Sequence, residues 1–171
     1  MFGFRRDILF YQVQDGLLYW LVIPVTVIGS GLALDHLFHL RPLAATTFNW
    51  GVAGLLLTAG LVLISLSTRD LRVHGHGTPN KRQPARTLVT KGTYALCRHP
   101  MFLGYDCMGL GIGLLLRSKG MLFLSFPLFL LVQTTFLLRE EQLLAKKFRR
   151  SFPSYKKKIP FLIPLTNRKT K

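Results

Sequence analysis

The chain has 171 residues, is 49% hydrophobic and carries a formal net charge of +16. Its length suits one domain, but so apolar and so basic a composition excludes an ordinary soluble domain. It fits a membrane protein whose apolar residues form spans and whose charges sit in the flanking loops. The basic charges flank apolar runs instead of forming a soluble basic face, so membrane lipids are the expected partner and nucleic acid is not.

Four apolar runs follow in chain order. The first covers about residues 16–34, interrupted by Pro24, with Tyr19 and Trp20 placed for an interfacial aromatic belt. Arg5 and Arg6 precede it, and with no clear small-x-small cleavage site it reads as a retained signal anchor. The second covers 48–66, the third 101–116 and the fourth 121–138. A span needs roughly 20 residues; the third run is short unless its helix begins near Tyr94, and its one interior charge is Asp106. The link Arg117-Ser118-Lys119-Gly120 is so short that the third and fourth helices should form an antiparallel hairpin. Gly104, Gly109, Gly111 and Gly113 line the third run and allow close helix contact in lipid.

The expected fold is an all-α integral membrane protein of about four transmembrane helices, with a C-terminal helical hairpin and an amphipathic tail. Its divisions are N-terminal spans over 1–68, a loop over 69–100, the hairpin over 101–138 and a tail over 139–171. The loop from about Ser67 to Cys97 is rich in Gly and Pro and should be irregular. Leu143, Leu144 and Phe148 continue a helical spacing past the fourth run, until Pro153 and Pro160 break the tail. Of 23 Lys and Arg, only Arg41, Arg117 and Lys119 lie in the first-to-second and third-to-fourth connections. The positive-inside rule then puts both termini, the middle loop and any site there on the cytoplasmic side of a multi-pass protein. Arg98-His99-Pro100, Glu140-Glu141 and the basic tail thus converge on one face.

Motifs for other chemistries are missing: no GxGxxG after a strand, no GxxxxGK[ST] and no HExxH. Cys97 and Cys107 have no CxxC spacing, so neither a zinc site nor a disulfide framework is implied. His74 and His76 read as solvated loop histidines, and no metal is expected. Arg98 could snorkel at a helix end and Pro100 could begin the helix, but neither role explains His99. Glu140 and Glu141 are two of only seven acidic residues, set at the start of the most basic segment.

The stretches Gly77-Thr78-Pro79, Leu88 to Tyr94 and Arg98-His99-Pro100-Met101-Phe102-Leu103-Gly104 resemble the isoprenylcysteine carboxyl methyltransferase family. So do Glu140-Glu141, Leu144, Phe148, Phe152, Tyr155 and Ile159-Pro160. The broader group includes phospholipid N-methyltransferases. The resemblance covers about 77–164 and implies an integral membrane methyltransferase using S-adenosylmethionine. It implies that Tyr94, Arg98, His99, Pro100, Met101, Leu103, Gly104 and Glu140 line the cofactor pocket, with Glu141, Arg98 and Tyr155 nearest the chemistry. The chemistry of the groups agrees: a cofactor carboxylate suits His99 or the backbone N–H groups after Pro100, and its ammonium suits Glu140. An amine acceptor must lose a proton, which Glu141 could take. The chain departs from the family pattern at Thr93, where Pro is usual, at Phe102, Phe152 and Arg149, and at Phe161, where an Arg often stands. The acceptor implied is lipophilic or lipid-modified, a prenylcysteine carboxylate or a phospholipid amine. The alternatives are an NADPH-dependent sterol-reductase-like enzyme and a non-enzymatic membrane tether.

Overall fold

A computed structural model describes residues 21–78 and 84–164. Among them the chain is all helical. It comprises α1 (Ile23–Leu37), α2 (Thr47–Gly75), a 3-10 turn (Gly92–Ala95) and α3 (Pro100–Leu115). A π-helical turn (Met121–Ser125) then leads into α4 (Phe126–Lys147), and α5 (Ser151–Lys158) follows. Local chemistry fixes several of these ends. The Thr46 hydroxyl accepts the Asn49 N–H at 3.2 Å and caps α2, and His76, left-handed at φ 50°, ends it. Pro100 opens α3 from the first turn, where its missing N–H is not needed.

Residues 47–75 and 121–147 form helices of 29 and 27 residues, each with an 18-residue stretch of mean hydropathy 2.0. At about 1.5 Å per residue each exceeds the roughly 30 Å hydrocarbon core. Their outer faces expose Leu55, Leu61, Leu128 and Leu131, as lipid contact requires. This is an all-helical integral membrane protein. The other two runs give shorter apolar helices of 15 and 16 residues in the described chain. Tyr19, Trp20, Arg5 and Arg6 lie outside the described residues.

The third helix begins at Pro100, close to the expected 101, so its run stays short, and Tyr94 belongs to a separate 3-10 turn. Two expectations change. α2 runs on to Gly75, so the first residues of the expected irregular loop are helical. Pro153 does not break the tail; it sits in the first turn of α5, where proline is tolerated. As expected, the fourth helix continues beyond its apolar run, to Lys147.

The closest helix pair is α2 with α3, not the hairpin pair. A β-carbon on Gly60 would lie 2.6 Å from the Gly104 carbonyl oxygen, and one on Gly104 would lie 2.8 Å from that of Gly60. Only glycine at both positions permits this approach. Gly111 also faces α2, whereas Gly109 and Gly113 face Phe126 and Leu122. α3 and α4 are antiparallel but meet through longer side chains. Phe102 and Phe136 have ring centroids 6.2 Å apart, and the Gln133 amide donates to Asp106. The end opposite the basic segments is tied by Gly120 N–H to Asp35 at 2.7 Å and by Arg117 Nε to the Leu43 carbonyl at 2.6 Å.

Candidate active site

The chain crosses from the 3-10 turn into α3 through Cys97, Arg98 and His99, and the tail folds over this crossing. The Arg98 N–H donates to the Pro160 carbonyl at 2.9 Å. The Tyr155 hydroxyl donates to the Tyr94 carbonyl at 2.7 Å, pinning α5 on the 3-10 turn. The turn itself is held from α2: Asp70 accepts the Thr93 N–H at 2.7 Å and its hydroxyl at 2.8 Å. Thr93 therefore makes a bond that proline, lacking the N–H, could not.

α4 presents Gln133, Leu137 and Glu141 on one buried face, four residues apart. Glu141, 2% exposed, gathers three cationic or potentially cationic groups. Arg98 Nη1 pairs with its Oε1, His99 Nε2 lies 3.5 Å from the same oxygen, and Lys156 Nζ lies 2.8 Å from Oε2. Arg98 and Lys156 are two cations on one carboxylate, so the cluster keeps a net positive charge. Arg98 Nε and His99 Nε2 are buried with no hydrogen-bond partner among the described residues. Buried polar atoms in native proteins are nearly always bonded, so a constellation left open in this way is suited to a polar ligand. Aromatic rings wall it: Phe161 lies 5.1 Å from the His99 ring and 5.3 Å from the Arg98 guanidinium carbon, and Phe102 lies 6.2 Å from His99. Beside the cluster, a cleft of about 620 Å³ is lined by Arg98, Thr134, Lys156 and the chain through Ile163.

Burial pulls His99 down to about 4, against the opposing effect of the Glu141 charge, so His99 is neutral near pH 7. Burial raises the Tyr94 phenol above its ordinary range, and the Glu140 and Asp70 charges add to this. The Tyr155 phenol is raised too, chiefly by burial. Burial pushes the Cys97 thiol up to about 11, which keeps it a protonated, packed side chain.

Of the residues expected from sequence, the structure brings Arg98, His99 and Glu141 together, with Tyr94 and Tyr155 bonded beside them. Pro100 is buried at the start of α3, and Met101 and Leu103 are half-buried in its first turn. Glu140 is half-buried on the adjacent face of α4, and its charge acts on Tyr94. Gly104 faces α2 and not the cluster. Sequence reasoning missed Asp70 and Gln133. Asp70 had a signal, as an acidic residue beside a basic loop, and Gln133 had one as the single amide in the fourth apolar run. No group of three or more His, Cys, Asp or Glu that could hold a metal ion occurs among the described residues.

A family profile described as phospholipid methyltransferase matches residues 49–151. The chain is 38% identical over 94 residues to the protein-S-isoprenylcysteine O-methyltransferase of Schizosaccharomyces pombe, covering 53% of this chain and 38% of that protein. It is 30% identical over 114 residues to the protein of the same name from Saccharomyces cerevisiae, covering 61% and 46%. It is also 31% identical over 116 residues to the cobalt-zinc-cadmium resistance protein CzcN of Cupriavidus metallidurans, covering 66% and 51%. The matches thus span between 38% and 51% of these relatives' lengths. No solved structure matches.

Proposed function

This chain belongs to the phospholipid methyltransferase family, and from that premise we propose that it is a methyltransferase using S-adenosylmethionine on a lipophilic acceptor. The acceptor class is a prenylcysteine carboxylate or a phospholipid amine. The observation that carries this reading is the buried Glu141 cluster, beside which Arg98 Nε and His99 Nε2 are buried donors with no hydrogen-bond partner among the described residues.

The residues present fit the cofactor. Arg98 Nε and a neutral His99 offer buried donors to a carboxylate. Glu140, close enough to influence Tyr94, is assigned the ammonium. Phe161 and Phe102 offer aromatic walls for adenine. Tyr94, Pro100, Met101 and Leu103 complete the lining, and Gly104 lets α3 sit tightly on α2. When bound, the cofactor supplies an electrophilic methyl group on a sulfonium, and the thioether is the leaving group.

The chain's own contribution is positioning and exclusion of water. Glu141 fixes the Arg98 guanidinium and the Lys156 ammonium, and Tyr155 holds α5 down through Tyr94. A carboxylate acceptor needs no base; for an amine acceptor Glu141 is the proton acceptor within the cluster. The apolar cleft wall from Ile159 to Ile163 suits a greasy acceptor arriving from the bilayer. The proposed placement is multi-pass, with both termini and the site on the cytoplasmic side. In the proposed layout the cytoplasmic side holds the end of α2, the loop that follows it to His99, and the tail beyond the α3–α4 hairpin.

The test supplies purified protein with methyl-labelled S-adenosylmethionine, a total membrane lipid extract and a prenylcysteine analogue. Label in a lipid or prenylcysteine product is the expected result; no label in any fraction counts against the reading.

A further inference from the structure

Asp106 is a carboxylate within the apolar α3, 6% exposed, and nothing in the site described above uses it. Its hydrogen-bond donor among the described residues is one amide nitrogen. Gln133 Nε2 lies 2.9 Å from Oδ1 and 3.0 Å from Oδ2. A buried acid at membrane depth is expensive and normally serves a purpose. The positions of the two partners indicate what that purpose is. Arg98 and Asp106 are eight residues apart, and so are Gln133 and Glu141, running the opposite way. Phe102 against Phe136 falls between them. The antiparallel hairpin is therefore joined by three rungs: Arg98–Glu141, Phe102–Phe136 and Asp106–Gln133.

We propose that Asp106 and Gln133 are positioning residues that lock the register of the α3–α4 hairpin and so hold Glu141 opposite Arg98. Apolar side chains set this register only weakly, because largely apolar helices in lipid offer several packings of similar energy. A slip of one helical turn, about 5.4 Å, would set Phe129 or Leu137 opposite Asp106. The carboxylate would then lie unpaired in an apolar interior. The same slip would carry Glu141 away from Arg98 by about 5.4 Å. A buried polar pair that specifies register more than it adds stability is a known device. The π-helical turn at Met121–Ser125 fits this role. It absorbs one residue between the hairpin link and Gln133; a purely α-helical path would rotate the face bearing Gln133 and Glu141 by about 100°.

The consequence for activity rests on the proposed function, but the register itself does not, so the test reads both. Spin labels are placed at Leu96→Cys and Leu143→Cys, two exposed positions at the site end. The distance distribution is measured alongside S-adenosylmethionine affinity in detergent. Wild type is expected to give one narrow distance. The Asp106→Leu/Gln133→Leu double variant should melt no lower than Asp106→Leu alone, yet show a broadened or shifted distance and cofactor binding weakened at least about tenfold. The exchanged pair Asp106→Gln/Gln133→Asp should restore the narrow distance, with affinity within about threefold of wild type. A double-Leu variant with the native distance and affinity would overturn the proposal, and so would an exchanged pair as impaired as the single variant. If wild type binds no S-adenosylmethionine, the proposed function fails while the distances still decide the register.

Discussion

Glu141→Gln should destabilise the protein by about 3 kcal/mol, at the lower end of what breaking a buried ion pair costs. Glu141 is 2% exposed and its partner Arg98 10% exposed, so the guanidinium left behind has little water to recover. Lys156 is 51% exposed and resolvates readily, so its pairing adds less than about 1 kcal/mol. Glutamine keeps one acceptor oxygen, which is why the lower end of the range applies. For a chain of this size about 3 kcal/mol corresponds to a drop in Tm of roughly 6–12 °C. The assay is thermal unfolding in detergent of wild type, Glu141→Gln, Arg98→Met and the double variant. The double variant should be less destabilised than the sum of the singles, because it removes both charges. A drop below about 2 °C for Glu141→Gln, or strict additivity, would refute the view of Glu141 as a desolvated anchor.

His99 has a folded pKa near 4, below its unfolded value of 6.5, so the folded state binds fewer protons between those values. Stability should therefore be fully present above about pH 6.5 and fall as the pH drops toward 4, by up to about 3 kcal/mol. His99→Asn should flatten that slope in Tm measured from pH 7.5 to 4. Gly104→Val should destabilise by about 1–3 kcal/mol through overpacking against Gly60, seen as a lower Tm. Tyr155→Phe removes one hydrogen bond to the Tyr94 carbonyl and should cost about 1 kcal/mol, a loss of roughly 2–4 °C.

The convergence of Arg98, His99 and Glu141 was legible in the sequence because charge is expensive in lipid, and counting Lys and Arg assigns each connection to an end. Which of two adjacent glutamates enters the cluster was not legible, since a helix turns about 100° between them and the face is set by a π-helical turn that no spacing rule announces. Nor was the choice of partner for α3. An apolar run in lipid has no strong polar face, so its glycines could serve either neighbour, and only the mutual fit of Gly60 with Gly104 selects α2. Four of the five described acidic residues bind segments together: Asp35 to Gly120, Asp70 to Thr93, Asp106 to Gln133 and Glu141 to Arg98. Scarcity marked those carboxylates in the sequence, but their partners come from distant stretches and emerge only on folding.

The central claim is that the Glu141 cluster is the S-adenosylmethionine site, and calorimetric titration of purified protein in detergent tests it most directly. Saturable binding of S-adenosylmethionine to wild type is expected, weakened at least about tenfold in His99→Ala and Glu140→Gln, with no binding of NADPH. Binding of NADPH without S-adenosylmethionine, or S-adenosylmethionine affinity untouched by both substitutions, would contradict it.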